Sequence, residues 1–434
     1  MHIHILAIAG TMTAPLAAEL KRQGHFVTGS DQQKIYPPLS DIFKKNHLDL
    51  PNTHKIDKSI DLVIVGSSYK AFSQTQNEFD LIKKLKIPYI SATSYIAKNI
   101  AKKESILVAG SYGKTTITSL LAWIFMKANK DPSFMFGGEI RNKIDSLKIG
   151  QSEISIIEAD ESINGLDTQA KFLYYPVKYL VLTSADWEHK ESYPTASENF
   201  TAFKNIVQKI PKDGLLVYNP KGKNIDRLLP FCQSKKIAYN FNLNFSTQLI
   251  GKHNHENIIA AYTLCQSLGI NDTLIQQAIK TYQGVKRRLE LIGKINNTYF
   301  IDDFAQSSIR IQSALDTIKK QFPQHRIKVY FEPHASFLQH KEGISGFKQA
   351  FNSASEVIIS KINYNHNTDK STRTTAKDFI DEIGSKCRYE PLNVNIKKHY
   401  LQSLKPKDIL VHFSSGGLDG LKNLKNIINN YKLN

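Results

Sequence analysis

Ser105-Ile-Leu-Val-Ala-Gly-Ser-Tyr-Gly-Lys-Thr-Thr116 decides the fold: an apolar run that reads as a buried strand passes into a glycine-bearing loop and then a helix reaching about Lys127. Gly110 and Gly113 let the backbone fold tightly enough for the N–H groups of the Gly110-Ser111-Tyr112-Gly113 loop to face phosphate oxygens. Lys114 adds a positive charge and Thr115 can place a hydroxyl on Mg²⁺. Thr116 opens the helix, whose positive end points at the same anion. The full phosphate-loop pattern has a glycine where Val108 stands, so a tight strand-to-helix turn with an incidental lysine is the alternative.

Upstream, strand and helix alternate. His2 to Ala9 reads as a strand, Ala14 to Gln23 as a helix ending at Gly24, and His25 to Gly29 as a second strand. Asp61 to Gly66 and Ile87 to Ser91 continue a parallel sheet around a helix from Gln76 to Leu85. Ligands of such sheets sit beyond the carboxyl ends of the strands, which here carry Gly10-Thr11, Ser30-Asp31 and Gly66-Ser67-Ser68. The dinucleotide fingerprint is absent, since Ala7, Ala9 and Thr13 stand where glycines belong, and a nicotinamide dehydrogenase is disfavoured. Downstream, strands are expected at Ile154 to Ile157, Tyr179 to Thr183 and Leu215 to Tyr218, with a helix opening in Gly251 to Ala261. A third βα-rich unit has strands at Thr298 to Ile301, Ile327 to Phe331, Glu356 to Ser360 and Ile409 to Ser414. The simplest parse is α/β, three domains in series over 1–101, 102–284 and 285–434.

Composition narrows the class. The 434 residues are 41% hydrophobic, enough for several cores, and no apolar run is long enough to span a membrane. The apolar stretch from Met1 to Ala18 has no cationic side chain before Lys21, so it reads as a buried strand and not a secretory signal. Cys232, Cys265 and Cys387 show no pairing or metal-ligand spacing, which points to a reducing cytoplasm. The net charge of +18 is spread along the chain without a dense basic run. It suits small multiply charged anions, and neither nucleic-acid binding nor membrane insertion is expected.

Several side chains can do chemistry beside a phosphate loop. Glu158 follows a neighbouring strand, where a hard carboxylate oxygen can hold Mg²⁺, while Asp160 and Glu161 read as solvated loop acids. His189, behind Asp186 and Glu188, is either a second metal ligand or a structural histidine. Asn254 and Asn257 share a helix face and can read an adenine edge, or Asn254 caps the helix. Arg287 and Arg288 can stabilise a transferred phosphate or lie on the surface. Asp302-Asp303, at a strand end, can take a ribose hydroxyl or a metal, and Trp123 and Trp187 read as packing.

Taken in order, Gly110-Ser-Tyr-Gly-Lys-Thr-Thr116, Glu158-Ala-Asp-Glu-Ser162, the Asp186/His189 segment, His253-Asn254-x-x-Asn257, Arg287-Arg288 and Asp302-Asp303 resemble the Mur ligase family over essentially the whole chain. The resemblance implies an N-terminal Rossmann-like domain for a UDP-sugar, a central ATPase domain and a C-terminal Rossmann-like domain. It implies an ATP-dependent amide-forming enzyme of peptidoglycan assembly that works through an acyl phosphate, as a monomer or homodimer. Val27 to Ser40, Gly137-Gly138, Arg287 to Leu291 and Ile301 to Ala305 look most like the branch joining UDP-N-acetylmuramic acid to L-alanyl-γ-D-glutamyl-meso-diaminopimelate. The branch that adds L-alanine comes next, and a nucleotide-binding relative without ligase activity is the third reading.

Carried over residue by residue, the resemblance puts Lys114 and the loop amides on ATP, Thr115 and Glu158 on one Mg²⁺, and His189 on a second. Asn254 and Asn257 approach adenine, Arg288 the γ-phosphate and Asp303 the ribose. Gly10, Thr11, Ser30, Asp31, Ser67, Ser68 and His334 fall on the substrate side. Phe203, not Lys204, takes the position of the lysine that is carbamylated in some family members, so no such modification is expected. The chain departs from the family at Ala7, Ala9, Ala14 and Pro15, and it reads Ser184-x-Asp186-x-Glu188-His189 where the family has Asn-x-Glu-x-Asp-His. It departs again at Gln306-Ser-Ser-Ile309 in place of His-His-Pro-Thr, at His334 in place of an arginine, and at Ser415-Gly416-Gly417. The ATP side is better preserved than the substrate side.

Overall fold

The computed structural model describes residues 1–32, 35, 39–49, 51–187, 192–334, 336–362, 373–415 and 418–431. Three sheets follow one another along the chain. The first holds β1 (His2–Leu6), β2 (Phe26–Ser30), β3 (Leu62–Val65) and β4 (Tyr89–Ser91) in the order β2-β1-β3-β4, all parallel. β1 stops three residues short of the expected Ala9 because Ala7 takes a φ of 55°, which turns the chain out of the sheet.

The second sheet runs β11-β10-β9-β5-β8-β6-β7. Its members are β5 (Glu104–Ala109), β6 (Ser133–Met135), β7 (Leu147–Lys148), β8 (Ile154–Glu158), β9 (Tyr179–Leu182), β10 (Leu215–Tyr218) and β11 (Lys235–Ala238). Every pair is parallel except β6 with β7. Alternate residues of its central strands face two cores: Leu107, Ile157, Leu180 and Leu216 on one side, Ile106, Ile156, Val181 and Val217 on the other. Burial on both faces is why these strands read as near-continuous apolar runs. β6, β7 and β11 escaped the sequence reading because they are short or, like Lys235-Lys-Ile-Ala238, hardly buried.

The third sheet runs β12-β13-β17-β14-β15-β16, parallel but for β12. Its strands are β12 (Glu290–Ile295), β13 (Thr298–Asp303), β14 (Arg326–Glu332), β15 (Ala354–Ile359), β16 (Cys387–Tyr389) and β17 (Asp408–Ser414). It too is covered on both faces, with Ile301, Val329 and Val411 in one core and Phe300, Tyr330 and Leu410 in another.

By compactness the chain forms two units, Met1–Leu249 with His253–Val285 and Ile250–Lys252 with Lys286–Asn434. The first and second sheets belong to the first unit and share one apolar cluster, which takes in Ile3, Ile5 and Ile64 along with Leu107 and Ile157. The α/β architecture expected from sequence is present. We propose domain bounds of 1–101, 102–284 and 285–434, since each stretch holds one sheet.

Candidate nucleotide and ligase site

The phosphate loop leaves the buried end of β5 at Ala109 and enters the helix Lys114–Lys127. Gly110 has a φ of 121° and Gly113 a φ of 81°, conformations that carry a steric cost with a side chain. Both glycines are also walled in. A β-carbon on Gly110 would stand 2.8 Å from the Ser184 backbone, and one on Gly113 would collide with the Asn257 amide oxygen. Ser111 Oγ accepts the Asp186 N–H at 2.9 Å, and the Thr183 hydroxyl donates to the Tyr112 carbonyl at 2.7 Å. The segment after β9 thus clamps the loop from outside, while the Tyr112 ring is exposed.

Lys114 Nζ donates to the Gly110 carbonyl and to Glu161, each at 2.8 Å. Burial pulls this ammonium down, but the charges of Glu161, Asp160 and Glu158 more than offset that and hold it above its ordinary value. Glu161 is 1% exposed, and Asp160 pairs with Lys171 at 2.9 Å. The expectation that these two acids are solvated is therefore corrected: Glu161 is the counter-charge of Lys114, and the half-buried Asp160 that of Lys171. Burial favours the neutral Asp160 carboxyl, yet Lys171 and Lys114 hold it well below the usual range. The sequence signal was available in Glu-x-Asp-Glu, but spacing alone does not say which carboxylate turns inward.

Thr115 Oγ1 donates to Glu158 at 2.8 Å, and the Gly137 N–H donates to the other Glu158 oxygen at 2.6 Å. Burial pushes the Glu158 carboxyl up, against the Gly137 amide, the Thr115 hydroxyl and the Lys114 charge. Two hard oxygens at the mouth of the loop, in a site where a further positive charge is favourable, fit Mg²⁺ bound beside phosphates. The Ser184 hydroxyl against the same loop is buried and has no hydrogen-bond partner among the described residues. His189 and Glu188, expected beside it, lie outside the described residues.

Asn254 and Asn257 are both buried, three apart on the helix Lys252–Ser267, with the Asn257 amide donating to Asn254 Oδ1 at 3.4 Å. Asn254 is inside the helix and not at its cap, so the capping alternative is set aside. Thr116 is buried in the first turn of the loop helix.

On the first sheet, the Gly10 N–H donates to Thr13 Oγ1 at 3.0 Å, and Asp31 accepts the Ala9 N–H at 2.7 Å. Asp31 is 5% exposed, and burial raises its carboxyl against the amides of Gln32 and Ala9. Ser30 is fully buried with its hydroxyl 3.4 Å from His4 Nε2. Ser30 and Asp31 thus shape the turn, while Thr11, Ser67 and Ser68 are exposed. This sheet reaches the phosphate site: a β-carbon on Gly137 would be 3.4 Å from Glu158 Oε2 and 3.8 Å from the Thr11 hydroxyl. Gly165 of the central region packs on the Ser67 backbone.

In the other unit, Arg287 is 7% exposed and pairs with Asp302 at 3.0 Å, which corrects its surface reading. Arg288 is exposed, its guanidinium 5.9 Å from the centre of the Phe304 ring. Asp303 accepts the N–H groups of Leu289 at 2.7 Å and Ala305 at 2.8 Å; burial raises it against the Arg288 charge. Sequence reasoning missed His412, fully buried within β17, with Nδ1 2.6 Å from Asp302 and Nε2 3.2 Å from Glu332. Burial opposes its charge, but the two carboxylates push His412 up to about 8. A lone histidine inside Ile-Leu-Val-His-Phe was the available signal. His334 donates its backbone N–H to Gln306 Oε1 at 2.8 Å, so two departures from the family pattern meet in one hydrogen bond.

A mostly parallel sheet that delivers a glycine-turned loop, a buried lysine and a Thr–Glu oxygen pair defines a nucleotide-binding α/β protein of the phosphate-loop class. Residues 108–242 match the Mur ligase middle domain, and over nearly its whole length the chain is similar to Mur ligases, which are ATP-dependent amide-forming enzymes. It is 26% identical over 451 residues to the UDP-N-acetylmuramate–L-alanine ligase of Desulfitobacterium hafniense (strain Y51), covering 96% of this chain and 98% of that one. Its fold matches that of UDP-N-acetylmuramate–alanine ligase from Thermotoga maritima, with a TM-score of 0.76, 20% identity and coverage of 100% and 99%. It also matches a murein peptide ligase from Psychrobacter arcticus, with a TM-score of 0.68, 24% identity and coverage of 99% of each chain. Among the described residues no helix is long and apolar enough to cross a membrane.

Proposed function

We propose that this protein uses ATP to join the carboxyl group of UDP-N-acetylmuramic acid to the amine of an L-alanyl substrate, in the cytoplasm. The observation that carries the reading is the meeting of Thr11, Gly137 and Glu158 at the mouth of the phosphate loop, where a sugar-borne carboxylate and a nucleotide phosphate must come together. Lys114 and the loop amides hold ATP phosphates, Thr115 and Glu158 hold Mg²⁺, and His189 a second ion. Asn254 and Asn257 approach adenine, Asp303 the ribose and Arg288 the γ-phosphate. Gly10, Thr11, Ser67 and Ser68 take the UDP-sugar on the turn that Ser30 and Asp31 shape, and His334 lies on the amine side. When bound, Mg²⁺ neutralises phosphate charge.

In the reaction a carboxylate oxygen attacks the γ-phosphorus and ADP leaves, giving an acyl phosphate. The amine nitrogen then attacks the acyl carbon, inorganic phosphate departs with the C–O bond, and the nitrogen loses a proton. The chain's contribution is alignment plus fixed positive charge from Lys114 and Arg288.

Two amines fit. The sequence resemblance favours the tripeptide L-alanyl-γ-D-glutamyl-meso-diaminopimelate, whereas the name of the Desulfitobacterium relative favours free L-alanine. Phosphate release from ATP and Mg²⁺ with UDP-N-acetylmuramic acid, run with each amine and checked by product mass, separates them. ATP binding without turnover on either amine would instead leave a nucleotide-binding family member that performs no such ligation.

A further inference from the structure

The amino-terminal edge of the third sheet carries a cluster of charge that the proposed reaction does not use. Lys328 of β14 and Glu356 of β15 are register partners, and β16 brings Arg388 beside them. The helix Asn393–Ser403 lays His399 and Ser403, four residues apart, over the same place. Together with Arg326 and Lys386 they line a cleft of about 440 Å³. Lys328 lies four residues before Glu332, roughly 13 Å back along the strand, so this cleft is at the end of the sheet opposite Asp303 and His334.

The cleft has a surplus of fixed cations. Glu356, the one carboxylate in the lining, holds His399 at 2.7 Å and Lys328 at 3.2 Å. Arg326 is paired outside the lining with Asp408 at 2.8 Å, and Lys386 donates to the Phe351 carbonyl at 2.8 Å. Arg388 has no carboxylate partner among the described residues. Burial holds His399 below its ordinary value, and the charges of Arg388 and Lys328 add to that against the pull of Glu356. Burial likewise lowers Lys386. Cationic groups gathered in a concave, partly desolvated site focus a positive potential that an anion relieves.

We propose that this cleft binds a small phosphate-bearing anion, held by Arg388 and Lys386 with His399 on its floor. The phosphate can be a free ion or an ester, since the contacts are the same. The site is independent of the ligase reading, because none of its residues belongs to the nucleotide or sugar machinery.

The test is calorimetric titration of the full chain carrying Lys114→Ala with Glu161→Gln, which disables the phosphate loop, against inorganic phosphate, pyrophosphate and glycerol 3-phosphate at low ionic strength. One equivalent is expected to bind, at least tenfold more weakly after Arg388→Glu and measurably more weakly after Lys386→Gln. Saturation should also raise the His399 pKa read from its imidazole NMR signal. Tighter binding of glycerol 3-phosphate than of phosphate assigns an ester as the occupant, and the reverse order assigns the free ion. No binding in the loop-disabled chain, or binding that Arg388→Glu and Arg388→Gln both leave unchanged, overturns the proposal.

Discussion

Lys114 is held by a carboxylate that is almost wholly out of water, and that fixes how its loss will show. Removing the ammonium breaks an ion pair with a carboxylate that is 1% exposed, and breaking a buried pair from one side costs about 3–5 kcal/mol. Lys114→Ala is therefore expected to lose turnover and to lower the midpoint of chemical denaturation. Adding Glu161→Gln should restore the midpoint but not phosphate release. A stable, active Lys114→Ala variant would remove Lys114 from the site. His412 makes a second prediction at this scale. Its folded pKa of about 8 stands above the ordinary histidine value near 6.5. The stabilisation is thus complete below about pH 6.5 and lost as pH rises through about 8, amounting to about 2 kcal/mol. Denaturation of the wild type from pH 6 to pH 9 should show that decline, and His412→Gln should flatten it.

At the scale of elements, the segment after β9 is fixed at its far end by a reciprocal cap on the helix Ala196–Gln208. The Thr195 hydroxyl accepts the Glu198 N–H at 3.2 Å, and Glu198 accepts the Thr195 N–H at 2.9 Å. Phe203 of that helix is fully buried against Phe172, their ring centres 5.5 Å apart. Thr195→Ala should cost about 1 kcal/mol of stability while leaving the Mg²⁺ concentration for half-maximal rate unchanged. A shift in that concentration would mean that the cap also sets the position of His189. The phosphate loop is braced in a similar way, with the Thr183 and Ser111 hydroxyls holding its outside.

At the scale of the whole molecule, the apolar clusters among the described residues fall either within residues up to Val285 or from Leu289 onward, none of them with members from both stretches. A chain of residues 286–434 should therefore fold alone, with a cooperative thermal transition and native-like far-UV circular dichroism. Residues 1–101 alone should not, because Ile3, Ile5 and Ile64 share a cluster with Leu107 and Ile157. Soluble, cooperatively melting 1–101 would show that the first sheet needs no partner surface.

The sequence by itself determined the order of strands and helices in the buried parts, the phosphate loop and the resemblance to the Mur ligases. Each of these is written locally, in apolar runs, in glycine placement and in the spacing of Lys114, Thr115 and Glu158. It did not disclose the thin edge strands such as Cys387–Tyr389, whose pairing is set by the neighbouring strand and not by their own apolar pattern. Nor did it tell Asp160 and Glu161 from solvated acids, Arg287 from a surface arginine, or His412 from a core histidine without a charge. Tertiary structure decided those, because a side chain's charge state depends on which counter-charges folding brings within about 3 Å and on how much water it removes. Lys114 with Glu161, Arg287 with Asp302, and His412 between Asp302 and Glu332 are pairs separated by 15 to 110 residues in the chain, and no local pattern encodes them.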